Sequence, residues 1–324
     1  MIAGSELTAW LDDRDRVAGS MAAARRAGHD WNGGPWCRAL REALDAIGDA
    51  DPAEVIDVAQ AAMARIDQIE AEFGGLIAAA GADPFFLPPL VQAQGELNTA
   101  LLLFDHPLLS IALGLTQVDA LAAKKGSAGA PASLGFTGHR TLFRFIRSGQ
   151  ATLSFWEAPP AALQFQAAQA QPCRFVSERR VADGEEVLLD GATQTFVIEH
   201  AGADILYLQA IAKEAAAPLV TEYDSRTLSY VGASSADESA SRVQMMVTLL
   251  RLMDRQDAAP LIIRALDTPH FHTRWHIMRE LLALDAEAAL PPLRDMATSD
   301  PHPEVRAAAA ATLHTFFGEE TCPA

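Results

Sequence analysis

The chain has few cysteines. Its 324 residues include only three, Cys37, Cys173 and Cys322, and these lie far apart. An odd number at such spacing argues against a disulfide framework and against a cysteine-rich zinc site. This cysteine usage is typical of a reducing compartment, so we expect a cytoplasmic protein.

Basic residues are also scarce. The chain has 25 Lys and Arg residues against 42 Asp and Glu residues, which gives a formal net charge of −17. The basic pairs Arg25-Arg26, Lys124-Lys125 and Arg179-Arg180 stand in separate segments and form no cluster. A chain with this charge would repel a phosphate backbone, so we expect no nucleic-acid partner.

The sequence lacks a long hydrophobic run. Its most apolar stretch, residues 99–115, is interrupted by Asp105, His106 and Pro107 and is too short to span a bilayer. The first residues lack the basic start and apolar core of a signal peptide. We therefore expect no membrane partner.

Residues 1–125 are predicted to form a helical domain, because their Ala-rich segments carry apolar residues three and four positions apart. Asp51 is predicted to cap a helix that has Pro52 at its first position. Residues 101–103 and 108–113 are predicted to be two buried helices joined by a tight turn, with Asp105 capping the second.

A Gly-, Ser- and Pro-rich stretch, Gly126 to Gly138, predicts a linker or surface loop at the end of this domain. Beyond it the apolar pattern changes to short extended segments. We predict strands at 141–146, 151–156, 174–176, 186–189, 193–199, 205–210, 219–223 and 227–231. Turns such as Asp183-Gly184 and Asp190-Gly191 predict a compact antiparallel barrel or sandwich over residues 126–234.

The stretch from Ala182 to Gly191, followed by Phe196 and His200, resembles the second half of a cupin barrel. A metal-binding cupin would carry two histidines one residue apart and a glutamate shortly after them. This chain departs from that pattern, since only His139 and His200 lie in the region. The resemblance therefore implies a cupin-like fold without the usual metal motif.

A repeat occupies the C-terminal part of the chain. Pro269-His270-Phe271-His272-Thr273-Arg274 and Pro301-His302-Pro303-Glu304-Val305-Arg306 begin 32 residues apart, a period typical of stacked helical hairpins with a buried Arg. We predict hairpins at about 237–267, 268–299 and 300–318. The run of small residues after Arg306 resembles the second helices of HEAT-like repeats.

The first of these hairpins is predicted to begin at Ser235, Asp237 and Glu238. The residues that follow predict one apolar helix face, made of Val243, Met246, Val247, Leu249, Leu250 and Met253. Together these patterns predict an α+β chain with a helical domain at 1–125, a cupin-like β domain at 126–234 and HEAT-like helical repeats at 235–324.

Histidines cluster at the start of the second hairpin. On a helix His272, His276 and Glu280 share one face, and two such histidines can bind iron, zinc or manganese. Positions i and i+8 are about 12 Å apart along a helix, so Glu280 cannot easily join His272 on one ion. At least one further ligand would come from another element, with His200 or Glu199 of the β domain as candidates, and His270 belongs to the same histidine cluster. The competing interpretation is packing, because His270 corresponds to His302 in the repeat.

Two functions from different classes remain. The first is an intracellular binding or accessory protein whose helical repeats present a surface to a protein partner, with Arg274 and Trp275 as candidate contact residues. The alternative is a metal-dependent enzyme, such as a non-haem iron enzyme, with its site where the helix of His270 to His276 meets the β domain.

Overall fold

The structure is a computed structural model that describes residues 4–47, 51–126, 133–162, 164–215 and 217–318. It has N-terminal helices, antiparallel sheets and a C-terminal helical region, so the predicted α+β class is confirmed. The helices are α1 (Gly4–Asp12), α2 (Arg14–Gly33), α3 (Pro35–Asp45), α4 (Pro52–Met63), α5 (Ile66–Ala82), α6 (Val118–Gly126), α7 (Glu238–Leu252), α8 (Ala259–Arg264), α9 (Phe271–Leu284), α10 (Ala286–Ser299) and α11 (Pro303–Phe317).

The strands of the described residues form three sheets, and all of their pairings are antiparallel. The strands are β1 (Val91–Gln94), β2 (Asn98–Asp105), β3 (Leu109–Thr116), β4 (Ser133–Phe136), β5 (His139–Arg147), β6 (Thr152–Glu157), β7 (Arg174–Arg180), β8 (Glu186–Asp190), β9 (Gln194–His200), β10 (Ile205–Ala215), β11 (Leu219–Asp224) and β12 (Tyr230–Ser235). A six-stranded sheet has the order β1-β2-β3-β10-β5-β8. The β6 sheet has the order β7-β6-β9, and the β11 sheet has the order β12-β11-β4. The sheets are open, and the described strands do not close into a barrel.

The helical prediction for residues 101–113 is wrong. These residues form strands β2 and β3, and the predicted tight turn is a hairpin in which the backbone groups of His106 and Leu109 bond to each other at 2.9 and 3.2 Å. Asp105 caps no helix and instead accepts a hydrogen bond from Nζ of Lys213 on β10. A short apolar run fits a buried strand as well as a buried helix, so periodicity alone cannot separate the two.

The N-terminal helices cover one face of the six-stranded sheet. Helix α4 begins as predicted, with Oδ1 of Asp51 accepting from the Ala53 backbone at 2.9 Å and Pro52 in the first turn. This helix packs on β10 and β5. Because β3 pairs with β10, the six-stranded sheet takes strands from both sides of the predicted boundary at residue 125, and the division into domains stays a prediction.

The C-terminal hairpins form as predicted. Helices α7 and α8 make the first, α9 and α10 make the second, and α11 begins the third. Asp237 caps α7 by accepting from Ser239 N at 2.8 Å, and Asp285 caps α10 by accepting from Ala288 N at 2.9 Å. Of the predicted linker at 126–138, residues 127–132 lie outside the described residues, and 133–136 form β4.

Candidate functional site

The two faces of the six-stranded sheet carry different side chains, because successive residues of a strand point to opposite sides. Leu142 of β5 and Leu208 of β10 are buried in the core shared with the N-terminal helices. Phe143 and Tyr207, one residue away on the same strands, contact the opposite core together with Phe196 of β9. The six-stranded sheet and the β6 sheet therefore face each other across a layer of aromatic rings.

This layer does not fill the space between the sheets. An inter-sheet cavity of about 1070 Å³ remains, with walls that include residues of β2, β3, β4, β5, β8, β9 and β10. Its lining includes four aromatic and nine uncharged polar side chains: Phe143, Phe145, Phe196, Tyr207, Asn98, Thr116, Ser133, Thr137, Thr141, Gln194, Thr195, Gln209 and Ser225. The charged lining residues Glu96, Lys124 and Arg226 are exposed, which places them at the rim.

Tyr207 can lie close against strand β3 because the residue opposite it has no side chain. It lies opposite Gly114 of β3, where an added Cβ would be 2.4 Å from Cζ of the Tyr207 ring. The neutral Tyr207 hydroxyl donates to Oγ1 of Thr116, since Thr116 itself donates to Oδ1 of Asn98 at 2.6 Å. Burial raises the pKa of Tyr207, so its hydroxyl stays protonated at neutral pH.

The cavity presents neutral hydrogen-bonding groups to whatever it holds. Gln209 lines the cavity, and its side-chain amide can both donate and accept hydrogen bonds. At the rim, Nζ of Lys124 pairs with Glu96 at 3.0 Å. These features suit a ligand with a flat or apolar body and uncharged polar groups.

The predicted metal ligands on α9 have partners on α7. Nε2 of His276 lies 3.0 Å from Oγ1 of Thr248, and Glu280 accepts from Nε of Arg251. With the 2.8 Å bond from Gln244 to Thr273, these contacts form a polar ladder of three rungs between the two helices. The side chains of His276 and Glu280 are thus used in helix packing.

The other predicted ligands lie apart from these two. Nε2 of His270 is 3.3 Å from Asp237, and His200 contacts Oγ1 of Thr152 at 3.2 Å in the β6 sheet. Both ring nitrogens of His272 are buried without a hydrogen-bond partner in the described part of the chain. Burial, with His270, Arg274 and His302 nearby, lowers the pKa of His272 to about 4.

Among the residues that the structure describes, no three His, Cys, Asp or Glu side chains lie close enough together to hold one metal ion. The geometry therefore does not bring the five predicted ligands, His200, His270, His272, His276 and Glu280, to one point. A metal site on these residues stays a prediction.

The two predicted partner-contact residues lie largely inside the helical repeats. The guanidinium of Arg274 is buried and makes two 2.8 Å bonds to the carboxylate of Asp300, with further bonds to the carbonyls of Thr268 and Pro269. The predicted buried Arg of the repeat is confirmed, but Arg274 is not available on an exposed contact surface. Trp275 is half-buried and packs against the same helical core.

Sequence reasoning missed a surface on α7. Of the predicted apolar face, Val243, Val247 and Leu250 pack inward, whereas Met246, Leu249 and Met253 point to solvent. Met245 and Leu252 extend this exposed set. The signal was available, because apolar residues at 243–253 occupy far more of the helix circumference than one packed face needs.

Comparison with known proteins assigns a family to the C-terminal region alone. Residues 232–314 match HEAT repeats. The HEAT resemblance of the sequence is thereby confirmed. No curated protein matches the chain, and none of the helices formed by the described residues has the length and apolar character to cross a membrane.

Solved structures give weak alignments. Ectoine synthase from P. lautus aligns at 10% identity with a TM-score of 0.23, over 37% of this chain and 67% of that one. Lactobacillus farciminis oxalate decarboxylase aligns at 9% identity and 0.25, over 43% of this chain and 34% of that one. The DMSP lyases RdDddP and RnDddQII give 12% identity and 0.26, over 61% and 94%. The chain thus spans about a third of the oxalate decarboxylase, and scores this low support no argument about function.

Proposed function

We propose that this chain is a binding protein that holds a small, uncharged, aromatic or apolar molecule in the inter-sheet cavity. The observation that carries the proposal is the composition of the cavity walls, which combine phenylalanine rings with amide and hydroxyl groups. Ligand cavities in proteins combine an apolar lining with a few placed polar groups and measure roughly 300–1,000 Å³. The inter-sheet cavity likewise combines apolar and hydrogen-bonding side chains, with a larger polar share, and is close to this size.

The polar groups indicate how such a ligand would be oriented. The aromatic rings of Phe143 and Phe196, 4.9 Å apart and nearly perpendicular, offer faces and edges for a flat ring. The side-chain amide of Gln209, in the lining, offers a ligand one donor group and one acceptor. Among the described residues that line the cavity, the charged ones lie at the rim, so a formal charge held deeper inside would lose hydration without an opposite charge beside it, and a neutral molecule is favoured.

A screen of neutral aromatic and heteroaromatic compounds tests the proposal. Compounds that raise the melting temperature of the full chain are carried to calorimetry with the wild type and with Gln209→Leu, which keeps the side-chain size and removes the amide. We expect the variant to bind about tenfold more weakly, the effect of one lost hydrogen bond.

The matched control is Gln92→Leu, at an exposed position of the edge strand β1, which should bind like the wild type. A screen without binders, or binding that Gln209→Leu leaves unchanged, contradicts the proposal.

A second function, recognition of a protein by the helical repeats, is favoured by one observation. Helix α7 exposes five large apolar side chains on one face, here called the α7 apolar face: Met245, Met246, Leu249, Leu252 and Met253. Contiguous exposed apolar patches larger than a few hundred Å² mark interaction sites. HEAT-type repeats stack their helices to bury such surfaces, and a solenoid normally ends in a polar face.

Site-specific photo-crosslinking in the expressing cells tests this second function. A photoreactive phenylalanine replaces Met246 in one variant and Leu261, which is similarly exposed on α8, in the control. A discrete adduct formed only from position 246 supports protein recognition, and its mass distinguishes a second copy of the chain from another protein. Absence of an adduct at 246 contradicts this function.

A further inference from the structure

Helix α7 is oriented in an unusual way in the helical repeats. Its polar residues Gln244, Thr248 and Arg251 face α9 and form the polar ladder. Its apolar face points away from the protein, with exposed fractions between 55% and 68% for the five side chains. A helix that ended the solenoid against water would carry polar residues there, so this face requires an apolar partner.

The order of residues on the α7 apolar face is symmetric. Relative to Leu249, the apolar side chains stand at positions −4, −3, +3 and +4, which are Met245, Met246, Leu252 and Met253. Residues three and four apart lie on one side of a helix, so the pattern looks the same in either chain direction. A surface of this kind is complementary to a second copy of itself turned by a two-fold rotation.

We propose that two copies of this chain associate through α7, packed antiparallel about a two-fold axis at Leu249. Met245 then faces Met253 of the second copy, Met246 faces Leu252, and Leu249 faces its own equivalent. This inference rests on the proposed protein recognition by the repeats and names the partner as a second copy of this chain.

The charges around the α7 apolar face agree with self-association. The chain carries a net charge of −17, and residues 237–257 contain four acidic and three basic side chains. Two copies would therefore meet where charges of both signs are present and can be paired. In the antiparallel arrangement Arg242 lies beside the turn of the second copy that carries Asp254 and Asp257, and the symmetry repeats this contact on the other side. Within one chain Arg242 pairs with Glu238 and Asp257 pairs with Arg255, but both pairs are exposed and therefore weak enough to rearrange.

The size of the surface indicates a moderate affinity. A stable interface buries about 800 Å² on each partner, and five half-exposed side chains supply only its apolar centre. We expect dissociation in the micromolar range. Since each copy is strongly acidic, added salt should strengthen the association by screening the repulsion between the two chains.

Sedimentation of the full chain tests the proposal. The wild type should convert from monomer to dimer as its concentration rises to about 100 µM, a range in which micromolar dimers are populated. Leu249→Arg places two like charges face to face on the axis and should weaken the dimer by at least about 100-fold. Leu261→Arg, with 56% exposure against 55% for Leu249, is the control and should dimerise normally.

Substitutions of opposite charge at Leu249 test whether the two-fold axis passes through this residue. Leu249→Glu and Leu249→Lys should each be monomeric, and an equimolar mixture should dimerise again because the two charges then attract. Circular dichroism establishes that each variant is folded. A monomeric wild type at 100 µM, a dimer that tolerates Leu249→Arg, or a mixture that stays monomeric overturns the proposal. The cross-link at position 246 separately decides whether the face takes another protein, so failure of the dimer and failure of protein recognition are distinguishable.

Discussion

The core of the helical repeats and the core between the two facing sheets are filled differently. The helical repeats bury aliphatic side chains such as Ile277, Leu281 and Leu293 with almost no exposure. The space between the six-stranded sheet and the β6 sheet is lined by aromatic rings and retains the inter-sheet cavity. A filled core supports a rigid surface, and a partly filled one leaves room for a ligand. The difference indicates that the repeats are suited to contacts at their surface, whereas the sheets are suited to holding a ligand in the cavity between them.

Of the three substitutions considered, removal of the buried Arg274 guanidinium should lower the free energy of unfolding most, through the core of the helical repeats. Arg274→Ala leaves the Asp300 carboxylate, which is 3% exposed, without its ion-pair partner. Loss of one partner of a buried pair costs about 3–5 kcal/mol, because the remaining charge is uncompensated. Urea unfolding followed by circular dichroism measures the loss.

The control for this prediction is Arg255→Ala. Its ion pair with Asp257 is exposed to solvent, so the free energy of unfolding should be almost unchanged. Equal, small effects of the two substitutions would show that the Arg274 pair does not stabilise the repeats.

The repeat region was predictable because its period places equivalent residues in equivalent contacts. His270 and His302, 32 residues apart, both occupy the position before a helix. Arg274 and Arg306 each donate to the carbonyl group six residues earlier, that of Thr268 in one repeat and that of Asp300 in the next. Because each Arg bonds to the turn just before its own helix, the contact depends only on residues nearby in the sequence. It therefore recurs wherever the repeat sequence recurs.

The cavity and the α7 apolar face depend on contacts that the sequence order does not give. Gly114, Phe143 and Tyr207 are far apart in sequence and meet only because β10 lies between β3 and β5. Helix α7 carries apolar residues on two sides, and the sequence makes both sides equal candidates for burial. The polar ladder to α9 decides which side faces the protein. For the same reason the histidines of α9 suggested a metal face, whereas His276 bonds to Thr248 on α7.

Filling the space above Gly114 should disturb the partly filled core by a smaller amount. In Gly114→Ala the new methyl group would lie 2.4 Å from the Tyr207 ring, so the ring must move towards the cavity. Overpacking of this kind costs about 1–3 kcal/mol. Thermal unfolding measures the loss, and ligands found for the cavity should bind more weakly.

Gly135→Ala is the matched control, because Gly135 also lines the cavity and an added Cβ there meets nothing within 4 Å. If both alanine variants melted like the wild type, the close approach of Tyr207 to β3 would not constrain the sheet.

Acid should weaken the filled core through His272, with the smallest of the three effects. The pKa of His272 is lowered to about 4 in the folded chain by burial and by His270, Arg274 and His302, against an ordinary value of 6.5. Between these values the unfolded chain binds the proton and the folded chain does not, so stability is complete above pH 6.5 and falls as the pH drops towards 4.

The shift corresponds to roughly 1 kcal/mol once screening of a partly exposed ring is allowed for. His272→Phe removes the titrating group and should flatten the stability profile between pH 6.5 and 4, as measured by urea unfolding at a series of pH values. His314→Phe, at an exposed position on α11, should keep the wild-type slope. If His272→Phe kept the wild-type slope of the free energy of unfolding against pH, the acid sensitivity would come from other groups. Protonation of His272 would then not destabilise the repeats.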